Sequence, residues 1–211
     1  MTSLIVVCPM EIERRALGHI AGARVDVCGP GPTAFRHWAA SIQPNVTVIL
    51  AGVAGGLSAH AQLGEARCIE DVWIRGASIE RTAFRLPGPA WRVAGSDHLV
   101  ATSEAKRQLA LESGATIVDM ESHAFTIEAT RRGWRHAIVR GVSDGHDDEI
   151  PAEVESLVDQ RGRTRVFAAT TLLLRRPALL GTLRELGRRT ERAMASVGEI
   201  VRALAAAERS R

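Results

Sequence analysis

Over the first 150 positions, short runs of β-branched and other apolar residues alternate with stretches whose apolar residues recur at helical spacing. The runs predict strands over residues 3–8, 24–28, 46–52, 66–74, 116–118 and 136–141. The spaced stretches predict helices over 11–19, 33–42, 103–112 and 121–132, with Thr33 and Ser103 as N-caps. Strict alternation of this kind is the signature of a mostly parallel mixed sheet between helical layers, a three-layer α/β/α architecture. Residues 76–95 carry two prolines and three glycines and read as a long loop or irregular hairpin within one domain. Beyond Pro151 the pattern turns helical, first over 163–175 and then, with Pro177 at the first helical position, in an amphipathic stretch to about Ala207. Gly181, Gly187 and Gly198 interrupt that stretch at about 1 kcal/mol each relative to alanine, so it is expected either as two helices or as one held by packing. The whole chain, 1–211, reads as a single domain with an added helical C-terminal segment.

Charge changes this picture at one end. Residues 161–211 hold twelve arginines against four glutamates, a net +8 that leaves −5 on the first 160 positions. Such a tail is an ordinary solvated helical face or a surface for an anionic membrane. Lys106 is the only lysine among 27 basic side chains. No run approaches the roughly 18 apolar residues of a membrane span, and the short apolar run 4–7 is followed by the charged stretch 11–15 rather than by a secretory leader. The expectation is a cytoplasmic protein. Cys8, Cys28 and Cys68 lack metal or disulfide spacing and are expected as buried strand residues.

Four stretches carry candidate chemistry, each after a strand. In Met10-Glu11-Ile12-Glu13, Glu13 stands at a helix start, where a carboxylate either caps the helix or acts as a general base toward water. Gly52-Val53-Ala54-Gly55-Gly56-Leu57 offers backbone at close quarters to a ligand, with Ala54 and Gly55 as candidate contacts, or else forms a tight structural turn. It fits neither the dinucleotide-binding nor the phosphate-loop glycine spacing. Gly29-Pro30-Gly31-Pro32 is a weaker signal of the same kind. Val118-Asp119-Met120-Glu121-Ser122-His123 sets a carboxylate able to accept hydrogen bonds from vicinal hydroxyls beside an adaptable apolar Met120. In Arg140-Gly141-Val142-Ser143-Asp144-Gly145, Asp144 is either a turn residue or an acid, with Ser143 orienting it. His98, His123 and His146 read as surface or supporting residues, and His146-Asp147-Asp148 as a loop over the site rather than a metal centre.

Taken in order, these stretches resemble the superfamily of purine nucleoside phosphorylases and methylthioadenosine/S-adenosylhomocysteine nucleosidases. The resemblance covers roughly residues 3–150: M-E-x-E, G-x-G, G-x-A-G-G-L followed by Leu63-Gly64-Glu65, D-M-E-S and V-S-D. Within it the chain is most similar to the hopanoid-associated branch acting on adenosylhopane, through Asp97, Ala105-Lys106, residues 118–123 and the basic Arg175-Arg176-Pro177. The resemblance implies a phosphorylase-like fold and cleavage of the N-glycosidic bond of an adenine nucleoside. Glu121 would bind the ribose hydroxyls, Met120 would pack on the sugar, Asp144 would protonate N7 of the base, and Glu13 would activate water. It implies no metal and no cofactor, with phosphate as the alternative co-substrate, and an assembly of two or more copies. The partner implied is a purine nucleoside, lipid-linked in the hopanoid reading, with no nucleic acid; in that reading the protein sits peripherally on the inner membrane. Val53 replaces the usual serine and no loop arginine for phosphate is present, which favours water. Arg36, Arg140 or a neighbouring subunit's arginine are the candidate cations for the phosphorolytic alternative. A non-catalytic nucleoside-binding protein is the remaining reading.

Overall fold

A computed structural model describes residues 3–77, 80–151, 154, 157–165, 172, 176–177 and 179–210. The strands are β1 (Leu4–Cys8), β2 (Ala23–Val27), β3 (Thr47–Gly56), β4 (Ala66–Trp73), β5 (Glu80–Arg81), β6 (Trp91–Gly95), β7 (Ile117–Asp119) and β8 (Arg135–Asp144). The helices are α1 (Glu11–Leu17), α2 (Gly31–Ala40), α3 (Ser103–Ser113), α4 (Ser122–Arg132) and α5 (Leu179–Arg209). As the alternation predicts, these form a mixed sheet with helices on its faces. β2, β1, β3 and β8 run parallel side by side. β4 and β7 run antiparallel to β8 and β3, and β6 runs parallel to both β4 and β7. The hydrogen-bonded circuit β3–β7–β6–β4–β8 therefore returns to β3 and closes, leaving β1 and β2 as a flange on one side.

The core divides with the strand alternation. Val48, Leu50, Ile138 and Val142 point to one side, among Phe35 and Ala39 of α2 and Phe125 and Ala129 of α4. Ile49, Ala51, Ala137 and Val139 point to the other, among Leu17 of α1 and Met194, Val197, Val201 and Leu204 of α5. A smaller cluster of Leu57, Ala94, Leu109 and Val118 packs α3 on the far end. α5 lies close on β8: a Cβ at Gly141 would stand 2.8 Å from the carbonyl oxygen of Ala193.

Several boundaries depart from the sequence pattern. The segment 76–95 is not all loop, because Trp91–Gly95 forms β6 between β4 and β7. The stretch Gly52–Gly56 is not a turn but the second half of β3, and β8 runs on to Asp144. α2 begins at Gly31 behind Pro30 and carries Pro32 in its first turn, where proline is tolerated, and α3 is capped by Thr102, whose Oγ1 accepts from the Ala105 amide at 3.2 Å, rather than by Ser103. α5 is one helix despite Gly181, Gly187 and Gly198, its buried stripe running from Ala193 to Ala205. Of the helix expected over 163–175, residues 166–171 and 173–175 lie outside the described residues, Arg175 among them. Cys8 and Cys68 are buried strand thiols, and Cys28 is buried one residue past β2.

Candidate active site

The glycines of β3 are what allow a site to form there. A Cβ at Gly52 would lie 2.3 Å from Arg140 Nη1 and 2.7 Å from Glu13 Oε1, and one at Gly55 would lie 2.9 Å from Asp144 Oδ2. The strand leaves out side chains at the positions where the site's own groups pack against it. Its partner β8 is bulged here, Ala54 facing Val142 while Gly55 faces Asp144, so two consecutive residues answer one. Strict alternation would turn Ser143 and Asp144 to opposite faces; with the bulge both line one cavity.

That cavity, of about 410 Å³, is lined by Glu13, Ala54, Gly55, Met120, Glu121, Ser143 and Asp144, the catalytic and substrate-binding candidates of the four stretches. Its remaining wall is mostly apolar, with Val53, Leu99, Ile150, Val154 and Leu186 among the lining residues, and is broken by Asp119, Asp159, Gln160 and Thr190. Leu186 places the start of α5 at its rim.

Glu13 both caps and faces the cavity. Its Oε2 accepts from the Met10 amide at 2.8 Å, as a helix-capping glutamate does, while Oε1 accepts from the Val53 amide at 2.8 Å. One backbone amide of the glycine stretch, that of Val53, is thus engaged by Glu13. Burial pushes the Glu13 carboxyl up to about 7, opposed by the Arg140 charge and these two amides. Glu121 is also raised, by burial above all and against the pull of Arg140. Its Oε1 accepts from the Gly31 amide at 2.8 Å and its Oε2 from Arg140 Nη2 at 3.2 Å. The weak glycine signal at residues 29–32 is therefore the loop that orients Glu121.

Arg140 is the hub. Wholly buried, it meets Asp119 Oδ2 at 2.5 Å and Glu121 Oε2 at 3.2 Å, both through Nη2, leaving Nε and Nη1 without hydrogen-bond partners among the described residues. Asp119 is fixed in turn by the amide and hydroxyl of Ser122. One guanidinium thus faces three carboxylates, Asp119, Glu121 and Glu13. Arg36, the other cation the sequence offered, is exposed on α2 and does not line the cavity.

At the other end, Asp144 does not stand in a bare apolar setting. Lys106 Nζ, with no exposed side-chain surface, lies 2.6 Å from Asp144 Oδ2, and Ser143 Oγ donates to Oδ1 at 2.9 Å. In the sequence Lys106 stood out as the only lysine and as part of the Ala105-Lys106 resemblance, and nothing there joined it to a residue 38 positions away. The loop beyond is anchored: Asp148 Oδ2 accepts from the Gly145 amide at 2.7 Å and from Arg189 Nη1 of α5 at 2.8 Å.

His98 and His123 fall elsewhere, on a second cavity of about 560 Å³ beside α3. There His123 Nε2 lies 3.1 Å from Asp97 Oδ1. Among the described residues no group of histidine, cysteine and acidic side chains is arranged to hold a metal ion, and no helix is long and apolar enough to cross a membrane.

Residues 89–175 match the family described as the Phosphorylase superfamily. No curated protein matches the sequence. Among solved structures, the chain superposes on the futalosine hydrolase of Helicobacter pylori strain 26695 with a TM-score of 0.66 at 13% identity, covering 96% of this chain and 97% of that one. A 5′-methylthioadenosine/S-adenosylhomocysteine nucleosidase from Colwellia psychrerythraea, solved with adenine, gives a TM-score of 0.66 at 13% identity over 97% and 95% of the two chains. The 5′-methylthioadenosine nucleosidase of Arabidopsis thaliana gives 0.65 at 15% identity over 95% of each. The fold is the one these nucleosidases share.

Proposed function

We propose that this protein is a nucleosidase of the phosphorylase superfamily that hydrolyses the N-glycosidic bond of an adenine nucleoside. The observation that carries the reading is the convergence of Glu13, Glu121 and Asp144 on one cavity, each held by named partners. Breaking the bond puts positive charge on the ribose and sends the bonding electrons into the base. Carboxylates near the sugar and a proton source at the base both favour that transition state. Glu121, pinned through one lone pair on each oxygen, keeps others for the two ribose hydroxyls, and Met120 supplies an apolar surface beside them. Asp144 faces the purine, and its carboxylate also suits a 6-amino group.

Water is the nucleophile this arrangement favours. A carboxyl raised to about 7 is poised to take a proton from water near neutral pH. A phosphate dianion would enter a cluster where three carboxylates outnumber one arginine, and unit charges 4 Å apart interact by about 4 kcal/mol at an effective dielectric of 20. Incubation with adenosine and methylthioadenosine, followed by chromatography, is expected to show free adenine without phosphate. A strict phosphate requirement would favour phosphorolysis, and tight binding without release a non-catalytic role.

The apolar wall from Leu99 to Leu186 suits a nucleoside with an apolar 5′-substituent, as adenosylhopane carries. Arg184 and Arg188 are exposed on α5 near the cavity rim, with Leu180 37% exposed one turn before, whereas Arg189 is committed to Asp148 and Glu185. On this reading the start of α5 rests on an anionic membrane, where each basic residue contributes about 1 kcal/mol. Co-sedimentation with phosphatidylglycerol vesicles is expected at low salt and is expected to weaken in the Arg184→Gln/Arg188→Gln variant. Equal binding by the variant would remove the membrane from the account.

A further inference from the structure

We propose that Lys106 is the positioning residue that supplies the proton Asp144 hands to the leaving base. The proposal rests on reading the cavity as a nucleosidase site and adds a residue outside its lining. Lys106 has three N–H donors, and the structure uses all of them: Asp144 Oδ2 at 2.6 Å, the Gly145 carbonyl at 2.8 Å and the Asp148 carbonyl at 3.0 Å. The last two tie α3 to the loop after β8. The first places a transferable proton on the one carboxylate that faces the purine end of the cavity.

The residue type is as informative as the geometry. The chain has twenty-six arginines and this single lysine. Arginine neutralises the buried carboxylates Asp119 and Glu121, so this fold readily builds a buried arginine where only a fixed cation is needed. An arginine keeps its proton in a protein, whereas an ammonium can release one. At the position behind Asp144 the chain holds the cation that can let go.

As the C1′–N9 bond breaks, its electron pair passes into the purine ring. Asp144 takes a proton from Lys106 Nζ as it passes one to N7, so it ends as the carboxylate it began as and Lys106 is left as the neutral amine. At the sugar, water attacks C1′ and gives its proton to Glu13. Solvent later returns a proton to Lys106 and removes the one on Glu13, so the sum is nucleoside plus water giving adenine plus ribose. Ser143, donating to Asp144 Oδ1, holds the carboxyl plane while this happens.

Lys106→Met and Lys106→Arg separate proton supply from mere support. Each is assayed on adenosine, whose base must be protonated to leave, and on 4-nitrophenyl β-riboside, whose nitrophenolate leaves without a proton. The expected result is a loss of at least about a hundredfold on adenosine in both variants, the scale of a proton-transfer contribution, with the nitrophenyl riboside cleaved within a few-fold of wild type. Recovery of adenosine turnover by Lys106→Arg would make Lys106 a counter-charge only and overturn the proposal. Equal losses on both substrates would assign it to the fold and overturn it too. A wild-type protein inert toward both substrates would instead defeat the nucleosidase reading itself.

Discussion

Replacing Glu13 by glutamine is expected to abolish adenine release, a loss of about 10²–10⁴-fold, while making the protein more resistant to heat at alkaline pH. The first effect follows from removing the carboxyl assigned to take the proton from water, since Glu121, the other raised carboxyl lining the cavity, is engaged by the ribose hydroxyls in the proposed reading. The glutamine keeps an acceptor for one of the two amides, Met10 or Val53, that hold the carboxylate, so the local backbone has reason to stay in place. The second effect follows from linkage. The folded protein holds the Glu13 proton up to about pH 7, against an ordinary glutamate value of 4.5. A carboxyl whose pKa is raised by folding binds its proton more tightly in the folded chain, so its effect on stability falls as pH rises from 4.5 through 7. Glutamine cannot ionise, and the variant escapes that decline. Melting curves of wild type and variant should converge near pH 4 and separate at pH 8, with the variant higher. The same ionisation sets the rate: wild-type kcat/KM should climb with pH through about 7 as the base form appears. A flat profile there, or substantial turnover by the variant, would show that Glu13 only caps α1.

Asp144→Asn is the second large effect, at least about a hundredfold in turnover, because an amide cannot relay a proton from Lys106 to the base. It also leaves a wholly buried ammonium without its counter-charge, and breaking such a pair costs about 3–5 kcal/mol. The Asp144→Asn/Lys106→Met double variant removes both charges. Its melting temperature should recover most of the loss while its turnover stays low. Wild-type rates in a folded Asp144→Asn protein would place the acid elsewhere.

How much of this was legible in the chain can be judged residue by residue. The alternation of apolar runs disclosed the layered fold, and the four polar stretches lie within or just after the carboxyl-terminal parts of β1, β3, β7 and β8. What the sequence hid was tertiary in origin. β6 is five residues inside a proline- and glycine-rich stretch, and only its place between β4 and β7 makes it a strand. Gly52–Gly56 has little intrinsic preference for extended structure, yet continues β3 because β8 and β7 pair with it. The bulge that brings Ser143 and Asp144 to the same cavity is a matter of register. Lys106 sits on a helix that reads as ordinary surface until Asp144 is seen across from it, and Arg140, a residue before a glycine in an apolar strand, becomes the hub only when Asp119, Glu121 and Glu13 surround it.

The account turns on a water molecule attacking C1′ in this cavity, and isotope transfer tests that step directly. When the protein cleaves adenosine or methylthioadenosine in ¹⁸O-water with phosphate present, mass spectrometry of the sugar, trapped before its anomeric oxygen exchanges with solvent, should show one ¹⁸O at C1 and no phosphorylated sugar. Appearance of the sugar as its unlabelled 1-phosphate, or return of the nucleoside unchanged, would contradict the account.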